Sequence, residues 1–500
     1  MNKRQILSSL LLLSLGLTAY GCGSSGSSSM EVVSDSLNNN TGLTVSLARS
    51  NQGTSGAFMD VNGDGLADQV VTAPAASSSP QKGVVLFYLG SSRGFPSTPI
   101  ELTGEGEGDS FGSSFLPIDI DGDGKKTDFA IGALNAGGDA PLSGSVYIYK
   151  GGDTPTLVIK LKGEEPMDKF GWSIASGDIN GDGKNDVAVS ALYNTHDQFQ
   201  GGAIYVYLGN GTAVSETPAL TLYDNAGASK GLGYSVTAGD INGDDIADVI
   251  AGESARVLVW YGKNAISNEN TSFSSPDVTI YGAPSGSTSK YGSAFGKAVA
   301  VIGDINGDGI NDIAIGNPNR GTSDTYDNKG SVYIFKGSSY PSGTVIYEDD
   351  ANGYKIAKIT GVNDQDRFGS FILPAGDAVG MDTLTPGGRP DFIVSAVWGD
   401  TDTEKAAGTA YLFSGEHVSS MTENMSATHA EMEYNGDANG SGFGTFMSIT
   451  KEGPDGILLI GAPLTSEGTG SVEMIKLSDG SSLTGGATGG TITGGGLDCH

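Results

Sequence analysis

An all-β, seven-bladed β-propeller of four-stranded blades is the fold this sequence predicts, and three observations predict it. A glycine-bent acidic loop recurs five times, beginning at Asp60, Asp119, Asp178, Asp240 and Asp304, at intervals of roughly 60 residues. Each loop sits in a longer unit of four short alternating segments separated by turn signals, which reads as four strands. Seven such units fit within residues 42–477, and four-stranded units repeated radially leave no long exposed edge. Glycine, at 79 of 500 residues, suits frequent tight turns and argues against a helical protein.

The chain opens on an export signal. Lys3 and Arg4 precede an apolar run over residues 6–17 that is too short to span a bilayer. Leu17-Thr18-Ala19-Tyr20-Gly21-Cys22 resembles a bacterial lipobox, so residues 1–21 are read as a lipoprotein signal peptide and Cys22 as the lipidated residue. The alternative is ordinary signal-peptidase cleavage and a periplasmic or secreted protein. A Gly/Ser run then makes 22–41 a flexible tether. The expected location is the outer membrane or cell surface, with the lipid as the membrane contact. Residues 478–500, rich in Gly and Thr, read as a disordered tail. With Cys499 as the only other cysteine, a disulfide framework is excluded.

Within 42–477 the unit is clearest in the third repeat. Phe170-Gly171 leads into the Asp178 loop, followed by strand-like segments starting at Asp186, Gly202 and Ala219. The same order follows Phe111-Gly112, Leu232-Gly233, Phe295-Gly296, Phe368-Gly369 and Phe443-Gly444, while 57–108 supplies a unit without a Phe-Gly start. The seventh unit stops at its third strand, 471–477. The orphan segment 42–47 is expected to complete that blade and close the ring.

The loops crowd carboxylates into a tight bend, which is unfavourable unless a hard cation sits among them. Oxygen donors at positions 1, 3, 5 and 9, with a main-chain carbonyl at 7, suit calcium. The ligand sets are Asp60, Asn62, Asp64, Leu66 and Asp68; Asp119, Asp121, Asp123, Lys125 and Asp128; Asp178, Asn180, Asp182, Lys184 and Asp186; Asp240, Asn242, Asp244, Ile246 and Asp248; and Asp304, Asn306, Asp308, Ile310 and Asp312. In the second set the last ligand falls at position 10, because Lys125-Lys126-Thr127 carries one extra residue. About five Ca²⁺ ions are expected. An EF-hand is excluded because position 12 is apolar in every loop. Asp245 replaces the position-6 glycine of the fourth loop, which predicts strain there. The sixth and seventh units lack alternating donors, and Arg389 and Lys451 are expected to replace the missing ions electrostatically.

Phe-Gly, then Asp-x-Asn-Gly-Asp-Gly, then Gly-Ala-Pro (intact at Gly461-Ala462-Pro463) resembles the FG-GAP repeat of the integrin α-subunit propeller. The similarity spans about residues 43–477. It implies a calcium-stabilised propeller, displayed outside cells and used for adhesion or recognition. It does not imply a partner β-subunit, and integrin leg domains or an inserted ligand-binding domain do not fit in this length.

Charge narrows the partners. With 27 basic and 58 acidic residues the chain carries −31, which disfavours nucleic acid and anionic membrane surfaces. No HExxH, GxSxG, P-loop or CxxC array is present, and His196, beside Asp197, reads as a solvated loop residue. A non-enzymatic protein follows, with a lectin or a polysaccharide-active enzyme on a propeller scaffold as the alternative. The partner is an extracellular or periplasmic protein or glycan. In a four-stranded blade the acidic loops share one face, and the second-to-third loops lie on the other. Those loops vary in length, and Tyr193, Phe199, Arg320, Tyr326 and Trp398 are their large side chains, the candidate ligand contacts.

Overall fold

A computed structural model of the chain describes residues 30–34, 43–47, 55–74, 82–91, 95, 98–195, 201–224, 231–263, 271–273, 275–282, 294–319, 328–349, 353–376, 388–399, 406–420, 424–436, 440–450, 457–463 and 471–477. Two strands, β1 (Met30–Ser34) and β2 (Leu43–Leu47), precede the blades. Blade one is β3 (Gly56–Met59), β4 (Asp68–Ala73), β5 (Val84–Tyr88) and β6 (Ile100–Thr103). Blade two is β7 (Phe111–Ile118), β8 (Asp128–Ala133), β9 (Ser145–Lys150) and β10 (Thr156–Lys162). Blade three is β11 (Phe170–Gly177), β12 (Asp186–Ala191), β13 (Ala203–Tyr207) and β14 (Leu220–Leu222). Each is an antiparallel meander in chain order, because two or more residues of turn chemistry separate consecutive alternating segments.

Blades four and five add an excursion before the fourth strand. Blade four is β15 (Val236–Gly239), β16 (Asp248–Glu253), β17 (Arg256–Trp260) and β19 (Val278–Tyr281), with β18 (Thr271–Phe273) between the last two. Blade five is β20 (Ala298–Gly303), β21 (Asp312–Asn317), β22 (Ser331–Phe335) and β24 (Lys355–Thr360), with β23 (Thr344–Tyr347) likewise inserted. Blade six is β25 (Phe368–Gly376), β26 (Asp391–Ala396), β27 (Thr409–Phe413) and β29 (Met432–Asn435), with helix α1 (Gly415–Ser420) and β28 (Met425–Ser426) between its last two strands. Each inserted strand pairs in parallel with the outer strand of the preceding blade: β18 with β14, β23 with β19, β28 with β24. Three blades thus become five-stranded, and their outer edges are covered by the next blade.

Blade seven is β30 (Met447–Thr450), β31 (Ile457–Ala462) and β32 (Ser471–Lys476). The closing segment lies alongside β32 as expected, but its ladder is made to β1, from Met30↔Leu47 to Ser34↔Leu43. Part of the stretch read as a tether is therefore a strand. Its Glu-Val-Val core has β-branched residues, a signal masked in sequence by the Ser-rich flank.

Seven apolar cores hold the ring, each shared by two neighbouring blades. Phe58, Leu86 and Tyr88 of blade one pack with Phe446, Leu459 and Met474 of blade seven, which closes the circle. The second strands of blades one to six are buried at every position. They lie between two adjacent blades, so both of their faces are apolar.

Phe-Gly forms the joint between blades. The amide of Phe170 donates to Ser143 O of blade two at 2.9 Å, and a Cβ on Gly144 would meet Phe170 O at 2.2 Å. Gly144 and Gly171 have φ of 92° and 91°, which glycine adopts without a Cβ penalty. The pair Gly83–Phe111 repeats this joint.

Candidate metal centres and the opposite face

Each acidic loop joins the first and second strands of its blade, and the carboxylate at position 1 organises it. In the third loop Asp178 Oδ1 accepts the amide of Asp182 at 3.0 Å and Asp178 Oδ2 that of Gly183 at 2.7 Å. Asn180 Oδ1 accepts from the same Asp182 amide at 3.0 Å, so oxygens from positions 1 and 3 converge. Asp60 repeats the pattern; Asp119, Asp240 and Asp304 also accept the position-6 amide at Oδ2, while their Oδ1 accepts the amide of Gly122, Gly243 and Gly307 at position 4. The turn needs left-handed backbone, with φ of 71° and 82° at Gly181 and Gly183. Asp245 adopts φ 65° at the corresponding place, the strained position expected of a side chain there.

In the second loop, ligating oxygens of Asp119, Asp121 and Asp123 all lie within 4.8 Å of one another. Lys150 reaches Asp121 Oδ2 at 2.9 Å, while Asp121 Oδ1 is buried without a hydrogen-bond partner. An orphaned carboxylate oxygen beside two further carboxylates fits a hard divalent cation. That cation would draw on Asp119, Asp121 and Asp123, and would neutralise their mutual repulsion. In the other four loops the described donors are likewise oxygens only.

Position 9 has a structural task that the spacing did not reveal. Asp186 is fully buried; its Oδ2 accepts the Ile179 amide at 2.9 Å and its Oδ1 the Gly209 amide at 2.8 Å. It ties the loop to the end of the third strand. Asp68, Asp128, Asp248 and Asp312 do the same with Gly90, Gly151, Gly262 and Gly337. Burial pushes Asp186 and Asp248 up to about 7, and Asp68 and Asp312 to about 6. Their second lone pairs remain available to a cation.

Arg389 of blade six borders residues 377–387, which lie outside the described residues. It bonds Ser419 Oγ and lies 3.6 Å from Glu416 Oε2. Its guanidinium flanks the fifth loop, where a Cβ on Gly307 would meet Arg389 Nη2 at 3.2 Å. Lys451, Cys22, His196, Phe199, Arg320 and Tyr326 lie outside the described residues.

On the opposite face, Tyr193 is 39% exposed and heads a row of rings. Its ring centroid is 6.4 Å from that of Trp172, which is 5.6 Å from that of Tyr234. Lys297 Nζ stands 3.1 Å above the Tyr234 ring. Trp172, Tyr234 and Lys297 each follow the Phe/Leu-Gly pair of blades three, four and five. Repeat alignment at that one position is the signal by which sequence reasoning would have found them. Trp172 Nε1 donates to Tyr234 O at 3.0 Å, and the Val236 amide to Ser173 Oγ at 3.0 Å, which fixes blade three against blade four. Trp398, half-buried, carries the Arg367 guanidinium 5.4 Å from its ring. His417 is bonded through Nδ1 to Glu431 at 2.7 Å, with the His429 ring 6.5 Å away.

Comparison with known proteins agrees with this architecture. Residues 170–207 and 295–335 match the FG-GAP repeat family. The chain is 37% identical over 187 residues to integrin alpha-PS3 of Drosophila melanogaster, covering 35% of this chain and 16% of that protein. It is 34% identical over 211 residues to integrin alpha-V of Gallus gallus, covering 40% of this chain and 20% of that protein. It is also 32% identical over 163 residues to the phosphatidylinositol-glycan-specific phospholipase D of Mus musculus, covering 30% of this chain and 19% of that protein. The chain thus spans a fifth or less of the length of these relatives. Among the described residues, no helix is long and apolar enough to cross a membrane.

Proposed function

We propose that this integrin α-like FG-GAP propeller is a calcium-stabilised, exported and lipid-anchored recognition module without catalytic activity, which engages an extracellular protein or glycan. The carrying observation is the row Tyr193, Trp172, Tyr234, presented on the face opposite the acidic loops and held by hydrogen bonds between blades. A rigid ring with uniform loops on one face and varied loops on the other divides stability from recognition. The integrin relatives favour this reading over an enzymatic one; similarity over 19% of a phospholipase leaves that activity with its remaining length.

Adhesion of protein-coated beads to cells tests it. Tyr193→Ala and Trp398→Ala are expected to weaken adhesion with the melting temperature nearly unchanged. Asp182→Ala is expected to lower stability and to act on adhesion only through it. Loss of adhesion in a folded, calcium-loaded Asp182→Ala protein, with both aromatic variants silent, would place recognition on the other face.

A further inference from the structure

We infer that the inner rim of this face, built by Tyr193, Trp172, Tyr234 and Lys297, binds a sugar bearing a single carboxylate; the inference rests on the recognition role proposed above. The first strands of neighbouring blades adjoin one another and form the inner ring. Three of the four side chains sit at its upper end, one per blade, at one repeat position. Lys297 stands where the two preceding blades carry aromatics.

The ammonium is the unusual group. It is half-buried, it caps the Tyr234 ring, and no carboxylate among the described residues pairs with it. This is a chain with 58 acidic residues. Burial alone pulls Lys297 down to about 8. A desolvated cation without a counter-ion is costly, and an incoming carboxylate supplies one through a charge-assisted hydrogen bond.

The rings set the rest of the ligand. The Trp172 and Tyr193 ring centroids lie 6.4 Å apart with their planes inclined at 47°, two neighbouring aromatic surfaces. Aromatic faces take the C–H face of a pyranose, while the Tyr hydroxyl and Trp edge remain polar. A single carboxylate is specified because Lys297 is one cation, and a net charge of −31 repels a polyanion. An acidic peptide shares the carboxylate, but it offers flat faces to two adjacent rings only where it also carries ring side chains.

The test uses the intact calcium-loaded protein with two probes, a glucuronic-acid-terminated oligosaccharide and its glucose-terminated counterpart. Calorimetry and tryptophan fluorescence report binding. The acidic probe is expected to bind about tenfold tighter or more. Lys297→Met should abolish that preference, Lys297→Arg should restore it, and Tyr193→Ala should weaken both probes. Trp172→Phe guards against a folding defect, keeping a ring and losing the fluorescence change. Equal affinity for the two probes, or a preference that survives Lys297→Met, overturns the inference. So does an aspartate-containing peptide that binds tighter than either sugar and is lost in Lys297→Met. If neither sugar binds while Tyr193→Ala still lowers cell adhesion, the sugar is wrong and the recognition role stands; if neither sugar binds and Tyr193→Ala and Trp398→Ala both leave adhesion intact, both fall.

Discussion

Asp391 accepts the amide of Gly415 at 3.3 Å, although blade six has no acidic loop. In blade three the same bond joins Asp186 to Gly209, beside a full set of loop donors. The bond between the start of a second strand and the end of a third is therefore separable from metal binding. In blade seven the second strand starts with Ile457, which has no carboxylate to make that bond.

The first prediction follows from that separation. Asp391→Ala leaves a buried amide unpaired and should cost about 1–3 kcal/mol, with or without calcium. Asp182→Ala should cost stability in calcium and little in chelator. Denaturant unfolding of both variants in the two buffers decides it, and an Asp391→Ala protein as stable as wild type rejects the structural role.

Calcium itself should stabilise the ring. At affinities of about 10⁻³–10⁻⁴ M, millimolar Ca²⁺ contributes on the order of 1 kcal/mol per site. Excess chelator should lower the melting temperature, and Asp121→Asn should reduce bound calcium by about one ion per chain by elemental analysis. An unchanged melt with no bound calcium removes the metal assignment.

A pH dependence comes from Asp168, which is remote from the loops. It is fully buried, accepts from Asn194 Nδ2 at 2.9 Å and from the Glu165 amide at 3.0 Å, and leaves Oδ1 without a partner. Burial pushes it up to about 6. Its folded value lies above the unfolded one, so the folded state holds the proton more tightly. The resulting stability is present below the unfolded value and is lost as pH rises through about 6. Asp168→Asn should remove this slope and be the more stable protein at pH 7.5. A slope between pH 4 and 7 identical to wild type would contradict the assignment.

The joint between blades should be intolerant of a methyl group. Gly144→Ala would place a Cβ 2.2 Å from Phe170 O at φ 92°, and a loss of at least about 2 kcal/mol is expected. Gly63→Ala meets no atom within 4 Å and bears backbone strain alone, so it should cost less. Equal effects in thermal melts would show that the joint yields.

Anchoring should depend on Cys22. Cys22→Ser is expected to move the protein out of the membrane fraction or to leave its precursor uncleaved, read by fractionation and mass of the mature chain. Normal processing and fractionation would refute the lipobox reading.

Much of the architecture was legible because it repeats. A Phe-Gly pair, an acidic loop and an alternating strand recur at a spacing that survives variation in any one copy. The unrepeated parts were not legible. β18, β23 and β28 are short excursions whose meaning lies in the preceding blade's outer edge, and the three-residue Thr271–Phe273 carries too little pattern to announce a strand. Position 9 reads as an oxygen donor, and spacing does not report that both oxygens of Asp186 also accept backbone amides.

By itself the sequence determined the blade count, the order of the strands within each meander and the five acidic loops, since period-two alternation, glycine-dependent turns and oxygen spacing are local properties of the chain. Tertiary structure alone decided which residues meet across blades. Trp172, Tyr234 and Lys297 are more than 60 residues apart in succession. They form one row only because the ring brings the same repeat position of three blades to the same rim. Whether a lysine has a counter-ion there depends on what three separate blades place around it, and no local pattern encodes that.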